Sequence, residues 1–254
     1  MSEEVLITVA DGIMTVTLNR PAARNAVNRA VAFGIADAME KLDADPSLHA
    51  AILTGAGGTF CSGMDLKAFV SGELPVVPGR GFAGLAEAPP QKPLIAAVEG
   101  FALAGGFEIA ITCDLIVSAD NAKFGIPEVK RGLAAGAGGL VRLPRQIPRR
   151  VAMELAITGE FISAQRAYEL GLINRVVPAG QALAAATELA RTIAANGPLA
   201  VRTSKQLVQQ SQDWSQTETF ARQAPYLDVV LRSEDAIEGA TAFAQKRAPV
   251  WKGK

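Results

Sequence analysis

The chain has 254 residues, 49% of them hydrophobic and 20% charged, enough to close a substantial core as one large domain or one domain with an appendage. Its 25 basic and 25 acidic residues cancel, and no run of like charge gives the footprint of nucleic-acid or membrane-surface binding. No stretch approaches the roughly 18 uninterrupted apolar residues of a bilayer span.

The acidic opening Met1-Ser2-Glu3-Glu4 lacks the basic and long apolar parts of a signal peptide. Val5 to Ala10 and Ile13 to Leu18 then alternate around Asp11-Gly12, a hairpin signal. Asn28 to Leu42 repeats apolar residues at helical spacing behind Asn28, a suitable cap. Ala50 to Leu53 is a short buried strand that runs into the loop Thr54-Gly55-Ala56-Gly57-Gly58. Lys67 to Lys92, rich in Gly and Pro, is expected to be the least ordered part, a candidate mobile lid or binding loop. Leu94 to Val98 is a second buried strand, Gly105 to Ile111 a helix, and Leu115 to Ser118 a third strand. This recurring order of strand, turn, helix and strand predicts an α/β architecture.

From Arg149 onward the pattern is mostly helical, with helices expected over 150–158, 163–170, 181–195, 200–211, 216–231 and 234–245. Ile173 to Val177 is the last strand. Asn196-Gly197-Pro198 is a strong break and marks the expected boundary between residues 1–196 and 197–254. The C-terminal helices are amphipathic but lack a core of their own, so they are expected to pack on the main body or on a neighbouring subunit.

Three segments carry candidate chemistry. In Phe60-Cys61-Ser62-Gly63-Met64-Asp65-Leu66-Lys67 a glycine after a buried strand permits a sharp turn that leaves the next N–H free to face a developing oxyanion. The plain alternative is a strand-to-helix turn with Asp65 as its cap. In Ala104-Gly105-Gly106-Phe107-Glu108, small residues at a helix start let a ligand approach free N–H groups, where the helix dipole favours negative charge; close helix packing is the alternative. Glu108 falls in that helix's first turn among apolar residues, and Glu128 follows Phe124-Gly125-Ile126-Pro127. Two carboxylates in one dry pocket titrate as a pair, with one tending to hold a proton, which suits a general acid and a general base. Against this, Glu108 could simply cap a helix and Glu128 pair with Lys130 or Arg131.

Other chemistries find less support. His49, the lone histidine, stands in a polar segment, and no Gly-x-Ser-x-Gly elbow is placed to use it. No His/Cys grouping has metal-ligand spacing. Cys61 and Cys113 are flanked by apolar residues, and so few cysteines fit a reducing, cytoplasmic compartment. Gly132 to Gly139 has glycine spacing like a dinucleotide loop but does not follow a clear strand.

Taken together, the residues resemble the crotonase (enoyl-CoA hydratase/isomerase) superfamily over essentially the whole chain. The matching runs are Asn19 to Ala26, Phe60 to Lys67, Lys92 to Val98, Ala104 to Glu108, Phe124 to Glu128, Gly136 to Gly139 and Thr158 to Pro178. The resemblance implies a spiral of repeated ββα units over 1–196 and a helical trimerisation region over 197–254, assembling homotrimers or homohexamers. It implies an acyl-CoA substrate with no cofactor beyond the coenzyme A that the substrate carries. The N–H groups of Met64 and Gly105 would form an oxyanion hole for the thioester oxygen. Glu108 would deprotonate water, Glu128 would exchange the α-proton, and the Gly136 backbone would help place the water. Contacts to CoA would come from the backbone around Arg24 to Ala26 and Ser62 to Lys67, including Asp65 and Leu66. Phe243 and Lys246 would reach the CoA of an adjacent subunit.

Hydratases of this family carry glutamates at both acid positions, so the resemblance implies reversible syn hydration of 2-enoyl-CoA to 3-hydroxyacyl-CoA. Three departures from the family pattern bear on the site. Ala104 replaces the first glycine of a common triple, Met64 is bulkier than the usual alanine, and Ala134-Ala135 stands where proline is common. Gly81 to Leu85, Ser233 to Gly239 and Pro249 to Lys252 resemble the carnitinyl-CoA dehydratase branch, which also has both glutamates. A related dehydratase or isomerase, or a non-catalytic acyl-CoA-binding scaffold, are the alternatives.

Overall fold

The computed structural model describes residues 3–254; Met1 and Ser2, where the acidic opening begins, lie outside the described residues. The elements run β1 (Val5–Ala10), β2 (Ile13–Leu18), α1 (Arg29–Ala44), β3 (Ala50–Gly55), α2 (Leu66–Val70), β4 (Val76–Val77) and β5 (Gly81–Phe82). Next come β6 (Leu94–Val98), β7 (Phe101–Leu103), α3 (Gly105–Thr112), β8 (Leu115–Ala119), β9 (Lys123–Gly125), α4 (Gly139–Gln146) and α5 (Arg149–Thr158). The chain closes with β10 (Ile162–Ser163), α6 (Ala164–Glu169), β11 (Arg175–Val177), α7 (Ala182–Ala194), α8 (Pro198–Gln210), α9 (Thr219–Leu231) and α10 (Glu234–Gln245).

Two layers of strands wind together. One sheet has the order β1-β2-β3-β6-β8-β11, parallel throughout except for the β1–β2 hairpin. The second, β10-β9-β7, is extended by a parallel bridge from Cys61 to Ala102. After each of β3, β6 and β8 the chain crosses to this second layer and then turns helical, giving three successive ββα windings. Strands covered on both faces read as near-continuous apolar runs, and β6, Leu-Ile-Ala-Ala-Val, is buried along its length.

Alternation along each strand divides the core. Ala51, Leu53, Leu94, Ala96 and Val98 point to the main cluster, which takes in α1 and α3. Ile52, Ile95, Ala97 and Val117 point the other way, where α7 lays Ala182, Ala186 and Ala190 against them. Alanines four apart share one helix face, and their small side chains let α7 lie close on the sheet. Asn28 caps α1 as its sequence suggested, accepting from the Val31 N–H at 3.0 Å.

The stretch 67–92 differs from the expected loosely ordered lid. Its start belongs to α2, and a short ribbon of β4 and β5 follows. Within the ribbon Arg80 Nε donates to Gly84 O at 2.8 Å and Nη2 to Ala88 O at 3.0 Å, while Ala83, Leu85 and Ala86 are buried. Glycine and proline here mark tight turns, which pin the segment. Beyond α7, Lys205 of α8 reaches back to Asp114 at 2.6 Å, whereas Phe220, Leu231, Ile237 and Phe243 on α9 and α10 or just beside them stand exposed. No described helix is long and apolar enough to cross a membrane.

Candidate active site

One cleft of about 1460 Å³ opens between the windings, above the roughly 300–1,000 Å³ of ordinary small-molecule sites and roomy enough for a long thioester. Its walls include Met64, Gly105, Glu108, Glu128 and Gly136, and also Arg24, Ala26, Ser62, Asp65, Leu66 and Lys67. Phe243 and Lys246 are not on this wall; Phe243 is exposed on α10 and Lys246 caps that helix's C-terminus in a left-handed conformation.

Two backbone turns meet at the centre. Gly63 adopts φ +99, and a side chain there would collide with Ala104 and press on the Gly105 N–H. A side chain on Gly106 would run into the Cys61 carbonyl. Only glycine at both positions lets the start of α3 sit directly on the Cys61–Gly63 turn. Val27 exchanges bonds with Gly63 O and the Asp65 N–H, which leaves the intervening Met64 N–H out of the ladder. Gly105 is the first residue of α3, where an N–H has no intrahelical acceptor. Among the described residues neither N–H has a backbone acceptor, so both remain available to a ligand oxygen.

The residue before this helix is strained. Ala104 sits at φ 52, ψ −132, a conformation that suits glycine, and it makes no capping bond. Such strain costs on the order of 1–3 kcal/mol, partly offset by the smaller unfolded-state entropy of alanine. Ala104→Gly should therefore stabilise the protein by roughly 1 kcal/mol in urea unfolding; a loss of stability would show that the Ala104 methyl packs more favourably than its backbone is strained.

Glu108 is 3% exposed in the first turn of α3. Its Oε1 accepts from both the Ala137 and Gly139 N–H groups at 2.8 Å. The glycine-rich run that looked like a dinucleotide loop is thus a cradle for a carboxylate. Burial raises the Glu108 pKa, while the Gly139 and Ala137 N–H groups and the Arg142 charge oppose that rise. Glu128 sits in the 3-10 turn Pro127–Arg131. Its Oε2 is the only buried side-chain oxygen or nitrogen without a partner among the described residues. Burial pushes Glu128 up to about 7; the Glu108 charge adds to this, and its own backbone N–H and Arg131 oppose it. The alternative role in an ion pair with Lys130 or Arg131 is not seen among the described residues: Lys130 pairs with Glu160 at 2.7 Å, and Arg131 acts on Glu128 through its charge without an ion-pair contact. Burial thus lifts both acids, but only Glu108 has N–H donors from another loop working against that rise, so of the two Glu128 is the better placed to hold a proton near neutrality.

The wall expected to meet CoA is fixed from behind. Arg24 and Asn25 are consecutive left-handed residues. Asn25 is fully buried and donates to Ala56 O at 2.9 Å and Thr59 O at 2.6 Å. Asp65 lines the cleft, but its carboxylate is occupied. It accepts from Lys67 N at 3.0 Å and Ala68 N at 3.3 Å, and it pairs with Arg20 at 3.0 Å. Its side chain caps α2, so any contact it makes with a ligand is through backbone. The exposed Arg24 and Lys67 of this wall form no ion pair among the described residues.

Sequence reasoning did not single out Arg20, Phe82 or Arg142. Arg20 joins Asp65, Glu4 and the Ala26 carbonyl. Phe82 lies on Gly105, where a β-carbon would come within 2.5 Å of its ring. Arg20 and Phe82 stood inside matching runs without being given a role, and Arg142 depends on a loop whose approach no local pattern reveals.

Strands wound in two layers around a cleft with paired acids and two free N–H groups define a crotonase-type α/β protein. The chain belongs to the enoyl-CoA hydratase/isomerase family, whose model it matches over residues 8–254. It is 41% identical to a carnitinyl-CoA dehydratase of Salmonella typhi and 40% identical to one of Proteus mirabilis, each alignment covering all of both chains. Among solved structures it is similar to enoyl-CoA hydratase from Mycobacterium tuberculosis H37Rv, at 57% identity and TM-score 0.98 over the whole of both chains. It is also similar to carnitinyl-CoA hydratase from Mycobacterium avium, at 44% identity and TM-score 0.80, again over both whole chains.

Proposed function

We propose that the protein adds water reversibly to 2-enoyl-CoA thioesters to give 3-hydroxyacyl-CoA. The observation that carries this reading is the asymmetry of the acid pair: Glu128, pushed up to about 7 with its buried Oε2 unpartnered among the described residues, faces the same cleft as Glu108, whose Oε1 is cradled by two backbone N–H groups. The Met64 and Gly105 N–H groups receive the thioester oxygen as negative charge builds on it, a role for which each donor is worth about 10²–10³ in rate. Glu108 takes a proton from water as its oxygen attacks the β-carbon, and Glu128 delivers a proton to the α-carbon. Gly136, whose N–H has no backbone acceptor among the described residues, steadies the water. The two acids handle both protons between them, so the reaction needs no cofactor beyond the CoA of the substrate. Arg24 and Lys67 meet its phosphates, with Ala26, Ser62, Asp65 and Leu66 lining the approach through backbone.

Hydration of crotonyl-CoA, followed by loss of enoyl absorbance, tests this; binding without turnover would favour an acyl-CoA scaffold. A second reading, dehydration of a carnitinyl-CoA-type substrate, is supported by relatives of that name at 40–42% identity. A panel of 2-enoyl-CoAs that includes crotonobetainyl-CoA separates the two. Residues 197–254 serve assembly into trimers or hexamers, where the exposed Phe243 and Lys246 reach a neighbour's CoA; the apolar residues left exposed on α9 and α10 support that role. The metabolism is that of fatty or related acyl chains in the cytoplasm.

A further inference from the structure

Arg142 stands at the junction of three parts of the site. Its Nη2 donates to Ala86 O in the segment that follows Phe82, and its Nη1 makes a long bond of 3.4 Å to Ala137 O. Ala137 is the residue whose N–H holds Glu108 Oε1. The neighbouring glycines make room for this arrangement. A β-carbon on Gly138 would occupy the place of the guanidinium, and one on Gly139 would come within 3.0 Å of Glu108 Oε1. The half-buried guanidinium therefore lies against the loop whose other side grips the carboxylate. Arginine suits this place because its planar fork spans two carbonyls and never loses its charge.

We propose that Arg142 is a positioning residue, which fastens the Ala137–Gly139 cradle to the Phe82 ribbon and sets a fixed positive charge beside Glu108. This rests on the assignment of Glu108 as the base of hydration. Two consequences follow. Drift of the cradle away from Glu108 strains the Arg142 links to Ala137 and Ala86, so the guanidinium couples the base's holder to the ribbon wall. The charge favours the ionised form of Glu108, in the same sense as the two N–H donors, so the shared proton is directed to Glu128.

The other ionisable groups around the pair are few. Arg131 acts on Glu128 from the same 3-10 turn, Arg145 pairs outward with Asp213 at 3.1 Å, and Glu87 lies exposed on the ribbon. Arg80 is engaged by ribbon carbonyls and Lys130 by Glu160. None of these lies where Arg142 does, between the cradle and the ribbon.

The test compares wild type, Arg142→Gln and Arg142→Lys by two readouts. The first is the ¹³C carboxyl titration of Glu108 and Glu128, assigned with Glu108→Gln and Glu128→Gln, which needs no substrate. The second is the pH profile of kcat and kcat/KM on crotonyl-CoA. Arg142→Gln should raise the Glu108 midpoint and move the acid limb of kcat/KM to higher pH. It should lower kcat by about 10²-fold, the penalty of a misplaced catalytic group, with little change in KM. Arg142→Lys, which keeps the charge without the fork, should leave both limbs in place while kcat still falls. A Glu108 midpoint that Arg142→Gln leaves unmoved overturns the proposal. Should that variant not fold, shifted limbs in Arg142→Lys overturn it instead. A wild-type protein inactive on every enoyl thioester would remove the functional reading, whereas the titration would still decide whether Arg142 governs Glu108.

Discussion

Replacing Glu128 with Gln is expected to lower hydration by about 10³–10⁴-fold, the upper range for a general acid. Proton exchange at the α-carbon should be abolished with it. Glutamine keeps the volume and the polarity but can neither give up a proton to carbon nor take one back. Crotonyl-CoA turnover and deuterium uptake into a saturated acyl-CoA measure the two losses; survival of both activities would show that Glu128 is not the acid. Stability moves the opposite way. Glu128 titrates near 7 in the folded chain and near 4.5 when unfolded, so between those values the folded state binds more protons. Stability is therefore lost as pH rises through that window and stays low above it. Glu128→Gln removes this loss, so the variant should be more resistant to urea than wild type above pH 7, the gap closing toward pH 4.

Glu108→Gln is expected to reduce hydration by about 10²–10³-fold and to spare α-proton exchange in large part. Water must be deprotonated for hydration but takes no part in exchange. Glutamine is the better probe because its carbonyl can still accept from Ala137 and Gly139. Alanine would leave two buried N–H groups unsatisfied, at about 1–3 kcal/mol each. Equal loss of the two activities in Glu108→Gln would reduce the residue to a structural prop. Adding water neither consumes nor releases a proton, so the pair carrying one proton is the active form in both directions. Hydration and dehydration must then share the same limbs in kcat/KM, an alkaline fall near pH 7 among them as Glu128 ionises.

What the sequence disclosed follows from how local each signal is. The turn at Gly63 and the helix start at Gly105 are written in adjacent residues, and both acids stand out because lone carboxylates among apolar neighbours are costly unless used. The strands of the first sheet and the later helices were legible for the same reason, since alternation and helical periodicity need only a short window, whereas the short strands β7, β9 and β10 and the helix α4 were not foreseen. Asp65 showed the limit of that view, as its carboxylate is taken up by a helix cap and by Arg20 from 45 residues away. The segment 67–92 does line the cleft as a binding loop would, but its order was underestimated because Gly and Pro specify tight turns without saying whether distant side chains hold them. Arg80 and Arg142 do hold them here, the latter from 56 residues further on. Arg142 itself was invisible: the sequence reading assigned no element to its stretch, and only the folded loop brings it to Glu108.

The paired N–H grip on Glu108 also bears on what happens between turnovers. When product forms, the proton that Glu128 gave to carbon has in effect been replaced by one from water, now resting on Glu108. Both grips donate to a single oxygen, and neither can turn to accept, so they favour the charged carboxylate and loosen that proton. The site thus rewinds itself toward its starting tautomer by exchange with solvent, with no dependence on the next substrate. A cradle built to hold a side chain still also works as a return spring for a proton.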